Sequence, residues 1–340
     1  MDKQKQNRIT ALDGLRGVAA VAVVLFHLVS MANHNHFAYG LILGVTGVDL
    51  FFIISGFVIF MTLQHAKTWK DFVISRFARL YPAYWAAILI TLLFIWVFDE
   101  KNQLLSWPTF LANLTMIQYF LGYPNIEGTY WTLVVELLFY ALMLLVWLIN
   151  LRWIIGVGIG YFIIIGGILW LNQQDPTLYP RLHAQFPLLG HFNLFFAGIL
   201  FYQLKFSSPH GYLHGLLMIC LALVYPLHFG GGAAMGFITA NWHFACVVVY
   251  FGLFYLLLYN RLGFMEHRFF VLLGGISYSL YLVHQTVGLL LIRSLKQAGV
   301  GRLPATLLGM MVGFALAIVM TYTVEKPAQR LIRGWFSGKK

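Results

Sequence analysis

From Phe206 to Asn260 the chain contains no Asp, Glu, Lys or Arg. A water-facing surface cannot be built from such a stretch, because soluble domains keep their charged residues outside and draw roughly a quarter of their residues from the charged set. Here charged residues make up 10% of the 340 and apolar ones 60%. Apolar runs of about 20 residues, each long enough to cross a hydrocarbon core of roughly 30 Å, recur along the chain. The expected fold is all-α, a polytopic membrane protein built as a single bundle of about ten transmembrane helices.

The runs place helices at 11–33, 44–63, 80–98, 129–149, 153–171, 188–204, 213–229, 242–259, 269–292 and 303–324. An even number of spans puts both termini on one side, and the distribution of Lys and Arg identifies that side. With the termini inside, the inner segments hold 17 of the 22 Lys and Arg residues, and only Lys101, Arg181, Arg293, Lys296 and Arg302 fall outside. Both termini are therefore expected in the cytoplasm. The net charge of +11 follows membrane topology and gives no reason to expect nucleic acid as a partner.

The first run is too long for a signal-peptide core, carries Asp13 and Arg16 near its start and lacks a small-residue cleavage pattern, so a retained helix is expected. Segment 99–128, with "WPTFLANLTMIQYFLG", is too short and too punctuated to span, and is expected to dip into the interface or pack on the bundle. Cys220 and Cys246 sit inside apolar runs and read as small buried hydrophobes. No internal repeat, low-complexity tract or appended soluble domain is visible, so residues 1–340 read as one transmembrane domain.

Ionisable groups at membrane depth cost a few kcal/mol each and usually face a polar cavity or a partner. Asp13, Arg16 and His27 lie on nearly one face of the first helix, and His27 is about 16 Å beyond Arg16 at 1.5 Å per residue. Counted inward from the expected outer helix ends, His27, Asp49, Glu136 and His284 all lie roughly 8 to 14 Å deep. A histidine beside a carboxylate is equipment for general-base chemistry, since the carboxylate fixes the tautomer and stabilises the imidazolium. His27 with Asp49 or Glu136 is the candidate pair, against the alternative of a buried interhelical hydrogen bond.

In "SRFARLYPAYW", Arg76 and Arg79 stand three apart before Pro82, at the inner start of the third span. Two guanidiniums on one face suit a phosphate-bearing ligand, while anchoring of an inner helix end is the plainer account. In "GVDLFFIISGFVIF", Gly47, Ser55 and Gly56 either pack helices closely or leave room for a narrow ligand.

These segments resemble the acyltransferase 3 family of integral membrane O-acyltransferases along the length of the chain. The pattern of a basic residue, ten residues and a histidine is present as Arg16 to His27. "GVDLFFIISGF" around Asp49, "RFARLYPAY", "YWTLVVELLFY" around Glu136, "ISYSLYLVHQ" with Ser277, Tyr281 and His284, and "VEKP" at Glu325 and Pro327 follow in the family's order.

The resemblance implies transfer of an acyl group, often acetyl from acetyl-CoA, to a hydroxyl of a sugar, frequently on an extracytoplasmic glycan or a lipid-linked sugar. It implies His27, Asp49 and Glu136 as catalytic residues, with His27 taking the acceptor proton. Arg16, Arg76, Arg79, Ser55 and Gly56 are then expected around the acyl-CoA, and Ser277, Tyr281 and His284 around the acceptor, with no metal. The expected setting is the cytoplasmic membrane of a bacterium, in contact with membrane lipid.

Direct transfer is expected, with a relay through an acyl-enzyme at Ser55 or Ser277 as its alternative. A transporter or flippase of an anionic lipid-linked sugar would use the same polar layer without cleaving a thioester, although no paired inverted repeat is visible. A structural partner in glycan assembly would not need His27.

Other features carry less weight. His34 and His36 lack further ligands, and the sequon at Asn113 sits close to the membrane. "GVGIG" at 156–160 follows no strand and reads as helix packing. His191 and His243 fall near outer helix ends, where interfacial hydrogen bonding accounts for them, as anchoring does for Trp69, Trp107 and Trp242.

Overall fold

The computed structural model describes residues 9–31, 39–98, 106–207 and 210–337. Lys3, Lys5, Arg8, His34, His36, Lys101, Lys339 and Lys340 lie outside them. The described residues form helices and no strand: α1 (Thr10–Leu25), α2 (Tyr39–Ile42), α3 (Gly47–Gln64), α4 (Trp69–Phe98), α5 (Trp107–Leu114), α6 (Trp131–Ile149), α7 (Ile154–Leu171), α8 (Leu178–Gln185), α9 (Phe192–Phe206), α10 (Gly211–Leu227), α11 (Ala240–Leu258), α12 (Arg268–Gln297), α13 (Arg302–Met320) and α14 (Lys326–Ser337). Turns of π-helix extend α1 over Phe26–Met31 and join α13 to α14 over Thr321–Glu325.

Nine helical stretches among the described residues are long and apolar enough to cross a membrane. The tenth expected span, 188–204, is the fifteen-residue α9. At 1.5 Å per residue it reaches about 22 Å, short of a hydrocarbon core. It is short because it does not face lipid: every residue from Phe192 to Tyr202 is buried.

The third span also differs from expectation, since α4 begins at Trp69 and carries Pro82 inside it. Proline removes one amide donor from the ladder, and membrane helices tolerate it where neighbours re-satisfy the backbone. The Tyr278 hydroxyl donates to the Leu80 carbonyl in that turn, at 2.9 Å.

Two compact units share the chain, each assembled from separate segments. One comprises the described parts of Met1–Gly44, Lys70–Val134 and Glu266–Lys340; the other comprises Val45–Trp69 and Val135–Met265.

In the first unit, α1 and α12 run parallel in close contact. A Cβ on Gly274 would stand 1.9 Å from the Asp13 carbonyl oxygen, and one on Gly17 would stand 2.7 Å from the Gly274 nitrogen. Further along, Gly288 leaves the space that the Leu28 side chain fills. Glycine allows this approach because it has no side chain between the backbones, and close packing of that kind, with interhelical hydrogen bonds, holds helices together in lipid. Segment 106–126 packs on α4. Tyr84 donates to the Asn113 carbonyl at 2.7 Å and the Trp85 indole to Leu114 at 2.9 Å. Asn113 itself is fully buried, its amide bonded to Thr109 and Pro124, so the sequon offers no accessible nitrogen.

In the second unit, α3 and α9 cross antiparallel, again through glycines. A Cβ on Gly56 would fall 1.9 Å from the Phe195 oxygen, and one on Gly198 would fall 2.0 Å from the Ile53 oxygen.

Candidate functional site

His27 stands in the π-helical turn that closes α1. Such turns widen a helix locally and often occur at functional sites. The equal spacing along two parallel helices decides what His27 meets: ten residues separate Gly17 from His27 and Gly274 from His284. The glycine contact at one level therefore recurs as an imidazole contact at the other, with His284 Nε2 3.0 Å from His27 Nδ1. The rings lie 5.0 Å apart at 55°.

The hydrogen-bond complement fixes the protons. His284 is fully buried, and its Nδ1 lies 3.0 Å from the Leu280 oxygen and 3.1 Å from the Tyr281 oxygen. Carbonyls only accept, so Nδ1 carries the hydrogen and Nε2 is left as an acceptor. His27 Nδ1, which also lies 3.0 Å from the Val23 oxygen, must then supply the hydrogen to both neighbours. The basic lone pair of His27 is left on Nε2. The partner of His27 within its unit is thus an imidazole, whereas the carboxylates named as candidates are Asp49 and Glu136. Those two are engaged within the other unit.

Asp49, in the first turn of α3, accepts from His243 Nε2 at 3.0 Å. His243 Nδ1 in turn lies 3.0 Å from His228 Nδ1. His243 is therefore the middle member of a part-buried carboxylate–imidazole–imidazole series. Glu136 accepts from the Ser55 hydroxyl at 2.7 Å and from Tyr140. Gly56 serves packing, not a narrow ligand, because the Phe195 backbone fills the space beside its Cα. His191 is buried against the Phe52 and His183 rings.

Three arginines of the first unit, Arg76, Arg79 and Arg333, stand within electrostatic reach. Arg16 pairs with Asp13 one turn away at 3.9 Å. The Arg79 guanidinium lies 5.8 Å from the centre of the Tyr278 ring, and Arg76 lies 6.0 Å from that of Phe72. Arg333, on α14, is close enough to Arg76 and Arg79 to feel both charges. A cluster of guanidiniums is chemistry suited to a multiply charged anion. Sequence spacing could not include Arg333, which lies far along the chain on a separate helix.

The remaining expected residues lie on α12. The Ser277 hydroxyl donates to the Gly274 carbonyl at 2.8 Å, and the Tyr281 hydroxyl meets Thr132 Oγ1 at 2.8 Å. Ser279 donates to Glu325 at 2.8 Å, in the π-helical turn before α14. Glu127, which the depth count passed over because it precedes a helix, is fully buried and accepts the Thr286 amide at 3.0 and 3.3 Å. Among the described residues no group of three or more His, Cys, Asp or Glu is arranged to hold a metal ion.

Fold and site together define a multi-pass membrane protein with a buried imidazole pair and an arginine cluster in one helical unit. The chain belongs to the family of the acyltransferase domain, whose model matches residues 9–322. It is similar to the peptidoglycan O-acetyltransferase OatA of Listeria monocytogenes, 28% identical over 197 residues that make up 50% of this chain and 30% of that protein. The O-acetyltransferase OatA of Staphylococcus aureus is 31% identical over 155 residues, 41% of this chain and 24% of its own length. The exopolysaccharide production protein ExoZ of Rhizobium meliloti is 28% identical over 170 residues, covering 46% of this chain and 51% of that protein. The matches thus cover about half or less of each relative. No solved structure matches the chain.

Proposed function

We propose that this protein is a membrane O-acyltransferase that moves an acyl group, acetyl in the first instance, from acyl-CoA to a hydroxyl of a sugar or glycan, with His27 as general base. It acts in a bacterial cytoplasmic membrane with both termini in the cytoplasm, and its acceptor is an extracytoplasmic glycan or lipid-linked sugar. The names of its relatives support the acceptor class.

The observation that carries the proposal is the His27–His284 pair, whose hydrogen bonds leave Nε2 of His27 basic. The acceptor oxygen attacks the thioester carbonyl carbon while its proton passes to His27 Nε2. The tetrahedral intermediate then collapses, the carbon–sulfur bond breaks, and the leaving thiolate takes that proton as CoA–SH. A thioester is already activated, so positioning and one base suffice without a covalent enzyme intermediate. Ser277 and Ser55, the candidates for such an intermediate, donate their hydroxyls to Gly274 and Glu136. Arg76 and Arg79, joined by Arg333, hold the CoA phosphates.

The test is CoA release by the purified protein in nanodiscs, with acetyl-CoA and a panel of glycans. Wild type is expected to release CoA, His27→Ala to release none above background, and Arg79→Ala to require more acetyl-CoA. Equal release by all three, or no binding of acetyl-CoA by any, would sink the proposal.

A further inference from the structure

The segment before α6 lies as a strap across α12 at the turn that carries His284. Thr129 donates to the Tyr281 carbonyl at 3.3 Å, Tyr130 to that of Leu282 at 3.5 Å, and Thr132 meets the Tyr281 hydroxyl at 2.8 Å. Gly128 lies beneath Gln285, whose amide atoms stand 2.8 Å from where a Cβ would be. At the end of the strap, both oxygens of Glu127 receive the Thr286 amide, two residues from His284.

We propose that Glu127 is a positioning residue for the catalytic pair: in its uncharged form it pins the strap to α12 at Thr286 and so holds His284 Nε2 on His27 Nδ1. This rests on the general-base role of His27 proposed above.

Three observations support the uncharged form. Glu127 is fully buried, and burial drives its pKa up to about 8 against the pull of the Thr286 hydrogen bonds. The titratable group facing it is the Tyr130 phenol of its own segment, which meets Tyr84 of α4 with ring centres 4.8 Å apart, while His284 stands on α12 two residues before Thr286. A protonated carboxyl group can still accept the Thr286 amide, though more weakly than a carboxylate, whereas the ionised form in that interior is driven toward water.

The test compares Glu127→Gln and Glu127→Ala in nanodiscs by two readouts. In CoA release, the Ala variant is expected to lose about 10- to 100-fold in kcat with KM for acetyl-CoA unchanged, the scale of a misplaced catalytic group. The Gln variant is expected to keep wild-type kcat at pH 7 and to lack the fall in rate that wild type shows above about pH 8. In protein carrying ¹⁵N-labelled histidine, the ring-nitrogen signals of the His27–His284 hydrogen bond should persist in the Gln variant and be lost in the Ala variant. The second readout needs no substrate, so an enzyme that releases no CoA defeats the proposed function and leaves this inference still testable. Unchanged ring signals in the Ala variant, or a Gln variant that retains the alkaline fall, would overturn it.

Discussion

Replacing His284 with Phe fills the same buried space and removes the acceptor for the His27 Nδ1 hydrogen. In wild type that hydrogen is shared between the Val23 oxygen and His284 Nε2, each 3.0 Å away. When Nε2 of His27 takes the acceptor proton the ring becomes cationic, and its bond to His284 becomes charge-assisted. A hydrogen bond to a charged group is worth about 1.5–3 kcal/mol, so its loss at the transition state predicts a fall in kcat of about 10- to 150-fold. KM for acetyl-CoA is expected to stay within about twofold, since the arginine cluster is untouched. His284→Gln supplies an amide oxygen close to the position of Nε2 and should recover most of the rate. The assay is steady-state CoA release with the folded fraction checked by size-exclusion chromatography. A Phe variant within about threefold of wild type, or a Gln variant no better than Phe, would refute the assignment of His284 as acceptor.

Three further outcomes follow from the packing and charge. Gly56→Ala sets a methyl group against the Phe195 carbonyl and should lower stability by about 1–3 kcal/mol, while Gly160→Ala, with open space around it, should be neutral or stabilising; equal melting temperatures in detergent would contradict the α3–α9 contact. Arg333→Ala should raise KM for acetyl-CoA about 10-fold with kcat little changed, and an unchanged KM would remove Arg333 from the phosphate site.

For Glu127, the folded value of about 8 exceeds the ordinary 4.5, so its contribution to stability is complete below about pH 4.5 and is lost as pH rises through about 8. The unfolding free energy of wild type should therefore fall relative to Glu127→Gln between pH 5 and pH 9, by an amount on the order of a few kcal/mol, with the melting temperature falling in step, and parallel curves would exclude the buried acid.

The helical membrane architecture was legible from composition and run length, because lipid leaves a chain no other way to satisfy its backbone from within one segment. That His27 and His284 stand at a similar level was legible for a similar reason, since rise per residue converts position in a run into distance from its end, and the two rings meet. The same count, extended to every polar residue near a helix start, would have found His243, which stands fourth in α11 as Asp49 stands third in α3. Helix α4 begins eleven residues before the expected start at residue 80, because Pro82 signals a helix start in water but sits inside a longer helix here.

What the sequence determined by itself is the kind of solvent this protein lives in and the inventory of costly groups it carries there. Which of those groups meet was decided by tertiary structure: a glycine contact between α1 and α12 sets His27 on His284, and a hydrogen-bonded strap brings Glu127 to the same turn. Pairing of that kind depends on the rotation and crossing of helices far apart in the chain, which periodicity along any single helix does not encode.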